Sequence, residues 1–168
     1  MTPDRFIVMG VSGCGKTSIG MAFASEIGAR FIDGDDLHPA ANVAKMARGE
    51  PLNDDDRAPW LSQVAAQFCQ DGGALVIGCS ALRRKYRNWL REGAGGQVVF
   101  LHLAGTRAVI AERMQARQDH FMPLSLLDSQ FAALEPPQSD ELSITVNIDQ
   151  DIAAIVAELV RKTEGMQI

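Results

Sequence analysis

Residues Gly10 to Thr17 read Gly-Val-Ser-Gly-Cys-Gly-Lys-Thr and match every fixed position of a phosphate-binding loop. The residue types follow from the chemistry. Glycines let the backbone turn tightly and come close to an anion. Successive N–H groups of Gly10, Val11, Ser12, Gly13, Cys14 and Gly15, with a helix opening at Lys16, Thr17 and Ser18, can then face phosphate oxygens. Lys16 supplies a point charge for the β- and γ-phosphates, and Thr17 a hydroxyl ligand for Mg²⁺. A glycine-rich turn with only a packing purpose has no use for Lys-Thr in register. The apolar run Phe6–Met9 before the loop and the helix-like stretch Ser18–Ile27 after it supply the strand and helix such a loop needs.

A second set follows the next apolar run: Asp33-Gly34-Asp35-Asp36-Leu37-His38-Pro39. Three carboxylates at the carboxyl end of a strand repel one another unless they face a cation or a substrate, and open α/β sheets hold ligands at that edge. Asp33 and Asp35 alternate by two. One can orient Mg²⁺-bound water while the other meets a hydroxyl to be phosphorylated. Asp36 suits a plainer part, capping a following helix. A basic group comes next: Lys45, Arg48, Arg57, Arg83, Arg84, Lys85, Arg87 and Arg91. Arginine forks bind carboxylate or phosphate at two points. Arg57 follows Asp54-Asp55-Asp56, so an ion pair competes there, and Arg83, Arg84 and Arg87 read mostly as a solvated helix face. Arg113 and Arg117, four apart, share one helix face. Over a triphosphate they would neutralise charge spreading across a transferring phosphoryl group. The segment closing at Pro123 reads as a mobile lid that excludes water.

These groups need elements to hold them. Apolar runs at 6–9, 30–32, 74–77, 97–103 and 143–147 alternate with helical patterns, which predicts a mainly parallel sheet covered on both faces. Pro59–Gln70 reads as a helix with proline in its first turn. Thr106 is placed to cap a helix through Arg117, and an amphipathic helix follows Asp149–Asp151. The stretches 38–56 and 118–123 show least regularity. A chain of 168 residues suffices for one domain with a core. A net charge of −5 argues against broad nucleic-acid or anionic-membrane binding. No apolar run approaches the ~20 residues of a membrane span. The start of the sequence shows no signal peptide, and three cysteines without metal-site spacing suggest reduced thiols in the cytosol.

Taken together, the chain resembles the bacterial gluconokinases, within the shikimate-kinase-like group of P-loop small-molecule kinases. The segments that carry the resemblance are 10–17, 33–39, 42–46, 49–61, 79–87, 120–123, 129–131 and 134–135. The resemblance implies a single three-layer α/β domain over 1–168, with a five-stranded parallel sheet of order 2-3-1-4-5. A substrate-binding insert is expected at about 36–60 and a lid at about 113–135. It implies ATP- and Mg²⁺-dependent phosphorylation of the 6-hydroxyl of D-gluconate by a cytoplasmic homodimer. By position, Lys16, Asp35, Arg113 and Arg117 match catalytic residues, with Arg113 and Arg117 on the lid or adenine side. Thr17 and Asp33 match metal-side positions. Arg57 and Arg83 match substrate-contacting arginines, with His38, Lys45 and Gln130 as further substrate contacts beside Asp35. The third strand, Leu75–Gly78, carries no Walker-B aspartate, unlike the wider P-loop class. A kinase for another small hydroxylated acid such as shikimate is the alternative. A GTPase-like switch is disfavoured, since no Asn-Lys-x-Asp or Asp-x-x-Gly motif is present.

Overall fold

The computed structural model describes residues 2–116 and 124–166. Five strands, β1 (Arg5–Met9), β2 (Arg30–Asp33), β3 (Leu75–Gly78), β4 (Val99–Ala104) and β5 (Ser143–Asn147), form one sheet of order β2-β3-β1-β4-β5. Every neighbouring pair is parallel, with Phe6 opposite Val76 and Val99, and Asp33 opposite Gly78. The sheet order is the one the resemblance implied. The helices are α1 (Lys16–Ile27), α2 (Ala40–Ala47), α3 (Asp54–Gln67), α4 (Arg84–Ala94), α5 (Arg107–Ala116), α6 (Leu124–Ala133) and α7 (Ile152–Glu164).

The strands read as unbroken apolar runs because both faces are buried. Side chains alternate between two cores. Phe6, Val8, Leu101 and Leu103 pack with Phe23, Ile155 and Leu159 on one side. Ile7, Met9, Ile77 and Phe100 pack with Trp60, Leu61, Val64 and Leu90 on the other. Each such large side chain, fully buried, contributes roughly 1.5–3 kcal/mol. Thr106 Oγ1 accepts from Val109 N–H, and Asp151 caps α7 by accepting from Ala154 N–H. Among the described residues no helix is long and apolar enough to cross a membrane.

Three local expectations are corrected. The irregular stretch 38–56 contains α2. Helix α3 starts before Pro59, because Asn53 and Asp56 form a reciprocal capping box that fixes its first turn. Finally, Arg87 is not on a solvated face: its side chain is fully buried. Its Nε and Nη2 donate to the Glu141 carboxylate at 2.8 and 3.1 Å, and Nη1 donates to the Ala81 carbonyl at 2.9 Å. Glu141 also accepts from Arg91 at 2.5 Å and from Gln138 N–H at 2.8 Å. Arg84 pairs with Asp140, and its N–H is capped by Glu135 at 2.8 Å. One face of α4 is thereby clamped to the segment that leads from α6 to β5.

Candidate active site

The phosphate loop leaves β1 at the carboxyl edge of the sheet, and Gly10 N–H donates to Ser80 O in the loop after β3. Lys16 Nζ folds back to donate to the Gly10 and Val11 carbonyls at 3.0 and 3.2 Å. An incoming phosphate competes with these neutral acceptors for a charged donor and wins on charge. Thr17 and Ser18 are exposed in the first turn of α1, where orphan N–H groups and the helix dipole favour an anion. Gly13 has φ +82°, and a Cβ there would lie 2.5 Å from Met114 Cγ, so α5 rests directly on the loop. Helix α6 touches the next residue back. Ser12 N–H donates to Gln130 Oε1 at 2.6 Å, and Gln130 Nε2 donates to Ser12 Oγ at 2.8 Å.

The acidic group sits at the end of β2. Asp33 Oδ1 accepts from Asp35 N–H at 3.0 Å and so caps a single 3-10 turn, Gly34–Leu37. Gly34 is required by close approach: a Cβ would lie 2.4 Å from the Gly78 carbonyl of β3. Its own carbonyl accepts from Trp60 Nε1 at 2.8 Å. The Asp35 side chain is 78% exposed at the cleft mouth. Its pKa is nevertheless raised, first by desolvation against the cleft walls and then by Asp33, while Lys16 and His38 pull it down. These four groups therefore share one electrostatic site. The His38 ring stacks on Trp60 with centroids 4.0 Å apart, and its Nε2 lies 4.0 Å from Asp35 Oδ1. Burial lowers the His38 pKa, helped by Arg57 and opposed by Asp35.

The remaining predicted residues are placed as follows. Lys45 Nζ donates to Asp56 Oδ2 at 2.6 Å, and this bond holds the Asp56 carboxyl below the usual range. Arg57 Nη1 donates to Tyr86 Oη at 3.2 Å and lies 3.9 Å from Asp54. Asp54 also accepts from Tyr86 and Lys85, and the Lys85 bond is the main cause of its lowered pKa. Arg83 is half-buried at the start of α4, where its carbonyl accepts from Tyr86 N–H and Arg87 N–H, and its guanidinium has no hydrogen-bond or ion-pair partner among the described residues. Gln130, expected against the substrate, lies on Ser12 of the phosphate loop. Arg113 donates through Nη2 to the carbonyls of Ile148 and Gln150, so its guanidinium ties α5 to the loop between β5 and α7. Arg117 and the segment His120–Pro123 lie outside the described residues. Trp60 and Tyr86 belong to the second core and present polar atoms to the site: Trp60 Nε1 to the Gly34 carbonyl, Tyr86 Oη to Arg57 and Asp54. The Asn42 side chain, in the 42–46 segment of the resemblance but with no role expected of it, is buried beside His38.

The residues expected on the metal side are the Thr17 hydroxyl, exposed in the first turn of α1, and the Asp33 carboxylate, which caps the turn after β2. These are hard oxygen ligands of the kind Mg²⁺ takes, completed by water and phosphate. Among the described residues no cluster of three or more His, Cys, Asp or Glu could hold a metal alone.

Comparison with known proteins agrees with this layout. The family described as an AAA domain matches residues 6–137. The chain is 48% identical over 162 residues to the thermosensitive gluconokinase of Escherichia coli K12, covering 94% of this chain and 86% of that protein. It is similar to the crystal structure of a gluconokinase from Sinorhizobium meliloti 1021, with a TM-score of 0.87 and 46% identity, over 97% and 95% of the two chains. The shikimate kinase of Aquifex aeolicus shares the fold alone, at a TM-score of 0.62 and 16% identity over 96% of each chain. With a P-loop after β1, an aspartate pair at the end of β2 and this likeness to such enzymes along nearly its whole length, the chain belongs to the gluconokinase family.

Proposed function

We propose that the protein transfers the γ-phosphoryl group of ATP to the 6-hydroxyl of D-gluconate, giving 6-phospho-D-gluconate and ADP. The observation that carries this reading is that Lys16, after β1, and Asp35, after β2, stand at the same carboxyl edge on either side of β3, near enough for the lysine charge to act on the carboxylate, in a member of this family. The loop N–H groups and Lys16 hold the β- and γ-phosphates. Asp35 aligns the terminal hydroxyl and takes its proton late, and its raised pKa suits a base that must hold that proton. Arg57, Arg83 and Lys45 lie on the acceptor side, where a carboxylate substrate needs cations. Arg113 on α5, and Arg117 by the resemblance, would neutralise charge on the donor side. Thr17 and Asp33 would hold Mg²⁺, which when bound offsets negative charge on the phosphate oxygens. Positioning and electrostatics carry most of the rate in such transfers. The enzyme works in the cytoplasm as a homodimer.

A panel of sugar acids and shikimate, incubated with ATP and Mg²⁺ and scored by phosphorylated product, tests the reading. Gluconate should be turned over far faster than shikimate or the other aldonic acids. Comparable rates with shikimate would overturn the assignment. Light scattering on the purified protein tests the dimer, and a monomer mass would remove it.

A further inference from the structure

His38 is a poor substrate ligand and a good holder of one. One ring face is covered by Trp60, and its side chain is only 6% exposed, against 78% for Asp35. Its Nδ1 lies 3.3 Å from Asn42 Nδ2, and the same Nδ2 donates to the Asp56 carbonyl at 2.9 Å. A carbonyl only accepts, so it fixes the Asn42 amide nitrogen, not its oxygen, at this position. The second N–H of that amide then points at His38 Nδ1, which must present a lone pair. The ring proton therefore sits on Nε2, the atom facing Asp35 Oδ1 at 4.0 Å. Burial and Arg57 from α3 also disfavour a charged ring, while Asp35 favours it. Lys16 from α1, with Asp33 and Asp36 on the same loop, faces the carboxylate itself.

We propose that His38 is a positioning residue: Asn42 locks its neutral Nε2–H tautomer, and this N–H steers the Asp35 carboxylate toward the acceptor hydroxyl. The inference rests on the reading of Asp35 given above. A 4.0 Å separation leaves the bond to close when substrate fills the cleft, as such bonds commonly tighten in the reacting complex. Trp60 serves the same end from the other side, stacking on the ring while its Nε1 holds the Gly34 carbonyl next to Asp35.

Two amide variants separate the ring nitrogens. His38→Asn puts an amide near Nδ1 and removes the Nε2 donor, whereas His38→Gln reaches the Nε2 position. His38→Asn should lose about ten- to a hundredfold in kcat, the scale of one hydrogen bond to a charged group. KM for both gluconate and ATP should stay within about twofold of wild type. His38→Gln should recover most of the loss. Added to Asp35→Asn, the His38→Asn change should cost nothing more, because its route is gone. A raised gluconate KM with unchanged kcat would make His38 a substrate ligand and overturn the proposal. Equal activity of the Asn and Gln variants, or full additivity with Asp35→Asn, would also overturn it. If His38→Asn does not fold, Asn42→Ala tests the same point with the ring in place, and an unchanged kcat there overturns it. Wild-type turnover by Asp35→Asn alone would instead remove the reading of Asp35, a result distinct from all of these.

Discussion

The acceptor wall of the cleft, residues 33–61, closes many of its polar groups on one another, while the donor side meets the phosphate loop through apolar side chains and one amide. On the acceptor wall Asp33 caps its own turn, Trp60 holds Gly34, Asn42 joins His38 to the Asp56 carbonyl, and Asp56 serves both Asn53 and Lys45. On the donor side α5 presents Met114 to Gly13, and α6 presents Gln130 to Ser12. The two helices are tied by Arg107 and Asp128, an exposed pair worth little. The contrast assigns them different work. A wall whose flanking groups are already satisfied need not reorganise as charge moves, which suits proton acceptance by the carboxylate it carries. The donor-side helices rest on the loop mostly through buried apolar side chains such as Ile110, Met114 and Leu127, and such contacts, which have no fixed direction, allow small shifts as nucleotide enters and leaves.

The largest effect should come from the acceptor wall. Asp35→Asn should lower kcat by about 10²–10⁴, the scale of an aligned acid–base group, while KM for ATP and the melting temperature stay near wild type. Steady-state kinetics with both substrates varied will check it. A collapse in stability instead would mean that the wall is held together by Asp35 rather than holding it.

The two walls meet at the Arg87–Glu141 pair, which clamps α4, the neighbour of α3, to the segment following α6. Arg87→Met should cost about 2–4 kcal/mol in urea unfolding, because the buried Glu141 carboxylate loses one of its two arginines and keeps only Arg91 and the Gln138 N–H. The double change Arg87→Met, Glu141→Leu should recover much of that, since an apolar pair of similar volume often replaces a buried ion pair at small net cost. If the single change weakens ATP and gluconate binding equally, the clamp serves both walls.

Beside this clamp lies His102 on β4, buried, with Nδ1 lacking a hydrogen-bond partner among the described residues and a pKa lowered to about 4 by burial first and then by Arg87. Its folded pKa is below the unfolded value of 6.5, so its contribution to stability is fully present above that value and lost as pH falls through it to about 4. The linkage amounts to about 3 kcal/mol. Unfolding midpoints measured between pH 7 and pH 4 should fall accordingly, and less steeply in His102→Gln.

How far the residues announced all this depends on the distance between partners. The loop at 10–17 and the five apolar runs are local patterns, and the strands came within two residues of them. Helix α2 escaped notice because it lacks a core stripe: Val43 and Met46 are exposed, and its buried residue is the polar Asn42. Pro59 suggested the start of α3, although the Asn53–Asp56 capping box was already present in the sequence. The burial of Arg87 could not be read locally, since Glu141 is 54 residues away. The same holds for Gln130, 118 residues from Ser12, whose place on the loop no spacing rule reaches.

Arg57 tests the acceptor wall more gently. Its guanidinium is shared between Tyr86 and Asp54, so it sits in a fixed place yet retains donors for a substrate carboxylate. Arg57→Ala should raise KM for gluconate about tenfold with KM for ATP unchanged, as loss of one charge-assisted contact requires. Equal changes in both constants would make Arg57 a prop for α3 and α4 instead.

The smallest effect should come from the donor wall, and its sign is informative. Gln130→Leu keeps the volume of the side chain and removes both bonds to Ser12. If the amide preorganises the phosphate loop, KM for ATP should rise about two- to tenfold, the range for ordinary neutral hydrogen bonds, with KM for gluconate unmoved. If the nucleotide itself needs the Ser12 N–H, the same change should lower KM for ATP, because Gln130 would then be a competitor that must be displaced. Either result separates the walls, since α6 has no hydrogen bond to the acceptor side among the described residues. A change in KM for gluconate would join them again and show that the loop transmits the position of α6 across the cleft.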